Sequence, residues 1–148
     1  MEPFVRNFIR MSLVWFSLGL LIGFSMVFWP SHIVYRPAHV HALLLGFVSM
    51  MIFGVAYHVL PRFTGRPLHN RSLAAVHFWS ANAALALLVS GFIARVHFVA
   101  VGRGLLSAGA LTSVVAGGMF VYNAWRTLGP AQARAGAPAQ LTSKGRSP

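Results

Sequence analysis

Four apolar runs, each as long as a membrane-spanning helix, constrain this chain more than any other feature. They cover residues 8–29, 39–60, 72–94 and 99–125, and about 20 apolar residues are needed to cross the hydrocarbon core. The chain is 57% hydrophobic and 9% charged, whereas soluble domains carry roughly a quarter charged residues. We therefore predict an all-α integral membrane protein, a four-transmembrane-helix bundle within residues 1–128. Short connections make neighbouring helices antiparallel.

Basic residues predict the orientation, because cytoplasmic connections carry an excess of Lys and Arg. One side of the predicted membrane domain has nine: Arg6, Arg10, Arg62, Arg66, Arg71, Arg126, Arg134, Lys144 and Arg146. The other side has three: Arg36, Arg95 and Arg103. We expect both termini to be cytoplasmic, in a multi-pass protein of a bacterial inner membrane. His39 then lies near the outer surface and His58 near the inner one.

The two ends of the chain are interpreted separately. The stretch from Met11 to Trp29 in the first run follows Arg6 and Arg10, but it is longer than a signal-peptide core and no small-residue cleavage site follows it. It is therefore predicted to be a retained helix. Residues 129–148 are rich in Ala, Gly, Pro and Ser, which is typical of a disordered tail, here cytoplasmic.

Small and polar residues inside the runs predict contacts between helices. Gly104, Ala108, Thr112 and Ala116 recur at every fourth position of the fourth run, a spacing that lets helices pack closely. Asn82 and Asn123 are expected to face protein as hydrogen-bonding groups rather than as functional residues.

Several classes of function are excluded by composition. There is no cysteine, and Glu2 is the single acid, so thiolate chemistry, paired carboxylates and a Ser-His-Asp triad are absent. The formal net charge is +11, but the basic residues lie at the ends of apolar runs instead of forming a stripe, so no nucleic-acid partner is expected.

Seven histidines are the main chemical groups that remain. Imidazole inside a membrane binds heme iron or copper, or carries protons. His39 and His41 are two residues apart and diverge by about 200° on a helix. They are a poor chelate for one metal ion, but each can serve a different neighbour. We identify both as candidate metal ligands.

Two glycines follow His39 on the same side of the predicted helix. That side contains Leu43, Gly46, Met50, Gly54 and Tyr57. Glycines on one stripe leave room for a flat group such as a porphyrin, so Gly46 and Met50 are candidate cofactor contacts. Helix packing is the alternative explanation of the same stripe.

The remaining candidates have weaker support. Arg36 precedes the pair and either pairs with heme propionates or extends to lipid headgroups. His97 and His32 lie near the outer surface, where either is a candidate second ligand, and His77 lies in the inner half of the third run. His69 is expected in a solvated loop.

The segment Arg36-Pro37-Ala38-His39-Val40-His41-Ala42, followed by Gly46-Phe47 and Tyr57, resembles the second helix of the catalytic subunit (subunit I) of heme-copper oxidases. The C-family oxidases and related nitric oxide reductases are the most similar. Leu73-Ala74-Ala75-Val76-His77-Phe78-Trp79 resembles the start of their third helix. The resemblance covers residues 36–80 and implies that His39 is an axial ligand of heme b. His39-Val40-His41 with Pro61-Arg62-Phe63-Thr64-Gly65 is more weakly similar to the NnrS family of nitric-oxide-response membrane proteins.

The chain departs from that family in size and in one position. The catalytic subunit has about twelve helices in three pseudo-repeats of four, and its copper ligands lie on later helices. His41 stands where the second helix of the family has asparagine, although a His-x-His pair occurs in its third pseudo-repeat. Three copies of this chain in a ring would imitate one subunit, with His39 and His41 each serving a heme at a different interface.

The sequence thus favours a bis-histidine heme b protein that transfers electrons, with a quinone or a periplasmic protein as partner, and that is not an oxidase by itself. Nitric oxide or heme sensing through five-coordinate iron is one alternative. A non-catalytic scaffold and a copper-binding protein are the others.

Overall fold

The computed structural model describes residues 2–129 and shows helix almost throughout. Helix α1 is Pro3–Phe28. The second span, Pro30–Thr64, contains a 3₁₀ turn (Pro30–Tyr35), α2 (Arg36–His41), a π-helical segment (Ala42–Ser49) and α3 (Met50–Thr64). Helices α4 and α5 are Arg71–Ala94 and Val99–Leu128. All four spans are long and apolar enough to cross a membrane, which confirms the all-α membrane bundle. Beyond Gly129, the predicted tail lies outside the described residues.

The second span is longer than the sequence predicted at both ends. The second run was expected to end before Pro61, but the helix continues to Thr64. Pro61 lies inside α3 and has no N–H, so one helical hydrogen bond is missing in the last turns. Gly65 then ends α3 in the left-handed conformation, with φ 64°, and the Gly65 and Arg66 N–H groups both donate to the Pro61 carbonyl.

Helix α1 packs antiparallel against the second span. The contacts run in opposite chain directions: Gly54 lies against Phe8, and Gly46 against Trp15. Helix α4 completes a three-helix core on these two, since the Trp15 indole N–H donates to Asn82 Oδ1 over 3.1 Å. Around the circumference of the bundle, apolar side chains such as Leu21, Val27 and Val114 are exposed, as expected for residues that face lipid.

Helix α5 packs mainly on α4, through a stripe that the sequence did not predict. Its buried residues at seven-residue intervals are Gly102, Gly109, Ala116 and Asn123, the repeat typical of left-handed helix pairs. A Cβ atom on Gly109 would lie 2.9 Å from the Leu88 nitrogen. Of the predicted stripe only Ala116 is buried, and Gly104 and Ala108 are exposed, because a repeat of seven, not four, follows the α4 axis.

Both intramembrane asparagines hydrogen-bond to protein, as predicted. Asn123 is fully buried, and its amide accepts from the Asn70 N–H (3.0 Å) and donates to the Asn70 carbonyl (2.8 Å). The Asn70 side chain in turn caps α4 by accepting from the Leu73 N–H. These bonds fix the start of α4 against the end of α5.

Candidate functional site

The histidine pair lies where the second span changes from α- to π-helix. His39 and His41 are in the last turn of α2, and the π-helical segment Ala42–Ser49 follows directly. The wider turns leave room for the Ser49 hydroxyl to donate to the Leu44 carbonyl five residues earlier (2.9 Å). π-helical turns are rare and frequently occur at functional sites.

His39 faces α1. Its Nδ1 lies 2.8 Å from the Gly19 carbonyl oxygen, and a Cβ atom on Gly23 would lie 2.7 Å from its Cε1. The ring therefore occupies space that a side chain at position 23 would take. Because a carbonyl only accepts, the proton must be on Nδ1, and Nε2 carries the lone pair.

His41 faces α4 instead. Its Nδ1 lies 2.8 Å from the Pro37 carbonyl one turn earlier, and its ring lies 4.6 Å from that of Phe92, centroid to centroid. The same argument assigns the lone pair to Nε2. The two imidazoles thus diverge toward different helices, as the spacing predicted, and within one chain they do not meet at one iron atom.

Both histidines are held as metal-ligating histidines usually are. Such a histidine donates one ring N–H to a fixed acceptor, which orients the ring and leaves the other nitrogen to bind the metal. Within residues 2–129 neither Nε2 makes a hydrogen bond, and both residues are half-buried.

The glycine stripe below His39 is filled by protein. A Cβ atom on Gly46 would lie 2.5 Å from Trp15 Cβ and 2.9 Å from Leu85 Cδ2, so α1 and α4 occupy the space expected for a flat group. This is the helix packing that was the alternative explanation. Met50 is buried, and Arg36 is exposed at the start of α2.

His32 and His97, at the same end of the bundle, form a separate group around Tyr35. Its hydroxyl lies 3.2 Å from His97 Nε2, and its ring meets that of His32 edge to face. His32 also stacks on Trp29. At the opposite end of the bundle, Arg62 Nη1 lies 3.0 Å from His58 Nδ1, and the exposed His69 meets Tyr122 edge to face.

His77 has the least expected surroundings. It is fully buried, with the Tyr57 hydroxyl 3.0 Å from its Nδ1. Phenylalanine rings surround the imidazole at centroid distances of 4.7 to 5.8 Å: Phe8, Phe53 and Phe120. Within the described part of the chain its Nε2 has no hydrogen-bond partner, although an unsatisfied buried polar group costs about 1–3 kcal/mol.

A lateral cavity of about 190 Å³ adjoins His77. It lies between the second span and α5, with α4 as its floor, and we call it the α3–α5 slot. Its buried lining comes mainly from α4 and α3, and its rim from the π-helical segment and α5. The lining residues are Leu45, Ser49, Met50, Phe53, His77, Ala81, Ala84, Leu85, Ser113, Ala116 and Gly117.

The two candidate regions lie at different depths. His39 contacts α1 at Gly19 and His77 contacts it at Phe8, eleven residues earlier, or about 16 Å along the helix at 1.5 Å per residue. One iron atom cannot hold both from one chain. Residues 2–129 contain no group of three or more His, Cys, Asp or Glu side chains placed to hold a metal ion.

Sequence reasoning found the histidines but missed their partners. Gly19 and Gly23 lie on α1, and a glycine pair four residues apart is the only signal that something packs closely there. Tyr57 was noted on the His39 stripe, but it bonds to His77, and no local pattern indicates that pairing.

Comparison with known proteins follows the histidine-bearing part of the chain. Residues 32–132 match the family described as cytochrome c and quinol oxidase polypeptide I. The Cbb3-type cytochrome c oxidase subunit CcoN1 of Stutzerimonas stutzeri is 31% identical, in an alignment that covers 71% of this chain. The chain spans 22% of the length of that relative.

Proposed function

This chain belongs to the heme-copper oxidase subunit I family, and from that premise we propose that it is a heme b-binding membrane protein that transfers electrons. His39 is the proposed axial ligand. The observation that carries the proposal is the Nδ1 bond to the Gly19 carbonyl, which fixes the ring and leaves Nε2 available as a ligand.

Heme suits the donor groups of this chain but not the space within its packed core. The donor chemistry fits, since His39 and His41 both keep a lone pair on Nε2. The packed core of one chain offers no room along the glycine stripe, because Trp15 and Leu85 fill it at Gly46. We therefore place the porphyrin at the chain surface beside His39, with Arg36, exposed three residues earlier, as the cation for its propionates.

A homo-oligomer supplies the second ligand in this proposal. His39 and His41 face different helices, so each serves a different heme, and two chains complete one bis-histidine site. A closed cyclic trimer uses every histidine of this pair without leaving one unpaired. His97 and His32, which meet at Tyr35, are the alternative source of the second ligand.

A bound heme supplies one-electron chemistry, through iron that alternates between the ferrous and ferric states. The protein holds the heme by His39, whose imidazole is oriented by its bond to Gly19, and leaves the site half-exposed for an electron partner. A quinone or a periplasmic protein is the proposed partner. Because no three-ligand metal group lies within residues 2–129, copper and complete oxygen reduction are not part of the proposal.

One observation favours a second candidate function, nitric oxide or heme sensing. Within one chain His41 points away from His39, and His77 lies about 16 Å away along α1. A heme on a monomer would therefore be five-coordinate and open to a small ligand.

The test is an absorption spectrum with heme extraction on purified wild-type protein, on His39→Asn and His41→Ala, and on the control His69→Ala. Asparagine places an amide N–H near the position of Nδ1, so His39→Asn keeps the donor to Gly19 and removes only Nε2. We expect a six-coordinate reduced spectrum in the wild type and the control, and heme loss in both variants.

Each other result has a defined meaning. Intact bis-histidine heme in His41→Ala would remove the shared-ligand arrangement. A high-spin spectrum that shifts with nitric oxide would favour sensing. A wild-type protein that stays colourless after heme supplementation would overturn the heme proposal and favour a non-catalytic scaffold.

A further inference from the structure

The α3–α5 slot has the properties of a ligand site that the proposed heme does not use. Its floor is buried, and His77 at one end of it has an Nε2 atom with no hydrogen-bond partner in the described chain. Its rim reaches the bundle surface, where Leu45 is 38% exposed. An apolar ligand dissolved in the membrane could therefore enter from the side and reach His77.

We propose that this slot binds the head group of a quinone or quinol, with its oxygen hydrogen-bonded to His77 Nε2. The slot walls are alanine, leucine, methionine and phenylalanine side chains, which suit an apolar ring. A cavity of about 150 Å³ accepts a benzene ring, and this one measures about 190 Å³. It is too small for a porphyrin and large enough for one ring.

The Tyr57–His77 pair suits both oxidation states of such a ligand. When the Tyr57 hydroxyl donates to Nδ1, the imidazole proton is on Nε2 and can be donated to a quinone carbonyl. When Nδ1–H donates to the Tyr57 oxygen, Nε2 accepts from a quinol hydroxyl. Between the two arrangements the imidazole changes tautomer, with its proton on Nε2 in one and on Nδ1 in the other, and the Tyr57 hydroxyl rotates from donor to acceptor across the 3.0 Å bond. Neither arrangement contains a charged side chain.

The π-helical segment forms the entrance. Leu45 and Ser49 both line the slot and both belong to the π-helical turns Ala42–Ser49. Toward the inner side the second span meets α5 through Phe53 and Phe120, whose centroids are 4.6 Å apart, so the slot closes there. The opening therefore faces the outer half of the span.

This proposal rests on the proposed electron-transfer function for the role of the ligand, but its binding is measured independently of heme. The full-length protein in detergent is titrated with decylubiquinone by isothermal titration calorimetry, and heme content is determined on the same samples. We expect saturable binding by the wild type. Loss of the His77 hydrogen bond in His77→Phe should weaken it about three- to tenfold, the equivalent of one net hydrogen bond.

A matched pair of glycine variants tests the location. A Cβ atom on Gly117 or on Gly118 meets nothing within 4 Å, so both accept a side chain, but only Gly117 lines the slot. Gly117→Leu should abolish saturable binding, and Gly118→Leu should leave it unchanged. Because both variants keep His77, their comparison remains informative if His77→Phe fails to fold.

The outcomes separate the two proposals. Heme-containing wild type without saturable decylubiquinone binding overturns the slot proposal alone. Quinone binding by heme-free protein, lost in Gly117→Leu, supports the slot and leaves the heme proposal without support. Equal binding by Gly117→Leu and Gly118→Leu also overturns the slot as the binding place.

Discussion

His39 Nδ1 lies 2.8 Å from the Gly19 carbonyl, and the same imidazole rests on Gly23 one turn further along α1. The bond orients the ring, and the missing side chain at position 23 admits it. Gly23 touches no cofactor in our proposal, yet its lack of a side chain determines whether His39 can act as a ligand.

Gly23→Ala should separate ligand geometry from stability. The added Cβ would lie 2.7 Å from His39 Cε1, so the ring must move and its bond to Gly19 is lost. Alanine is also the better helix former by about 1 kcal/mol, which offsets the loss of one hydrogen bond of about the same size, so the free energy of unfolding should change little. We expect heme affinity to fall at least about tenfold, measured by heme titration, since loss of a group that orients a metal-ligating histidine costs about 10- to 100-fold.

Gly104→Ala is the matched control, because a Cβ atom there meets nothing within 4 Å. It should gain the same helix propensity without a change in heme affinity. Equal heme affinities for the two variants would show that Gly23 does not position His39.

Asn123→Ala should destabilise the bundle. The side chain makes two hydrogen bonds to the Asn70 main chain, and its removal leaves the Asn70 N–H without this acceptor and the Asn70 carbonyl with the Ala74 N–H as its remaining donor. We expect a loss of about 2 kcal/mol in the free energy of unfolding, measured by denaturant unfolding in detergent. Thr112→Ala is the control, since its hydroxyl bonds only within its own helix. A change as small as that of the control would show that the Asn123 bonds contribute little.

The sequence predicted the spans and the divergent histidines because both follow from local rules. About 20 apolar residues define a span, and side chains two positions apart on a helix point in directions about 200° apart. The partners of the histidines depend on how α1 and α4 rotate about their axes, and neither rotation is visible in a local pattern. Gly19 and Tyr57 were therefore missed as the groups that hold His39 and His77.

The face of α5 that contacts α4 also could not be predicted from a local pattern. Small residues at spacing four are frequent in α5, and Gly104, Ala108 and Thr112 fit that rule. The helix instead uses the seven-residue series that contains Gly102 and Gly109, because that series stays on the α4 side over the whole length of the pair. Choosing between two overlapping small-residue stripes requires knowledge of the partner helix.

Gly102→Ala tests this packing at its tightest point. A Cβ atom on Gly102 would collide with the main chain of Arg95, where α4 ends and α5 is about to begin. Main-chain atoms cannot rotate away as a side chain can, so the two helix ends must separate. We expect about 2 kcal/mol of destabilisation, within the range for overpacking, in the same unfolding assay. Gly104→Ala again serves as the control, and equal stability of the two variants would contradict the seven-residue interface.

The predicted orientation can be tested without background, because the chain contains no cysteine. Val96→Cys introduces a thiol into the connection between α4 and α5, where residue 96 is 38% exposed. Ser143→Cys introduces one near the C-terminus. The nine basic residues predict a cytoplasmic C-terminus and an external connection between α4 and α5. A membrane-impermeant maleimide is added to intact cells whose outer membrane has been opened. It should label Val96→Cys and not Ser143→Cys. Permeabilising the inner membrane should then label both. The reverse pattern would place His39 at the cytoplasmic surface and remove periplasmic proteins from the proposed electron partners.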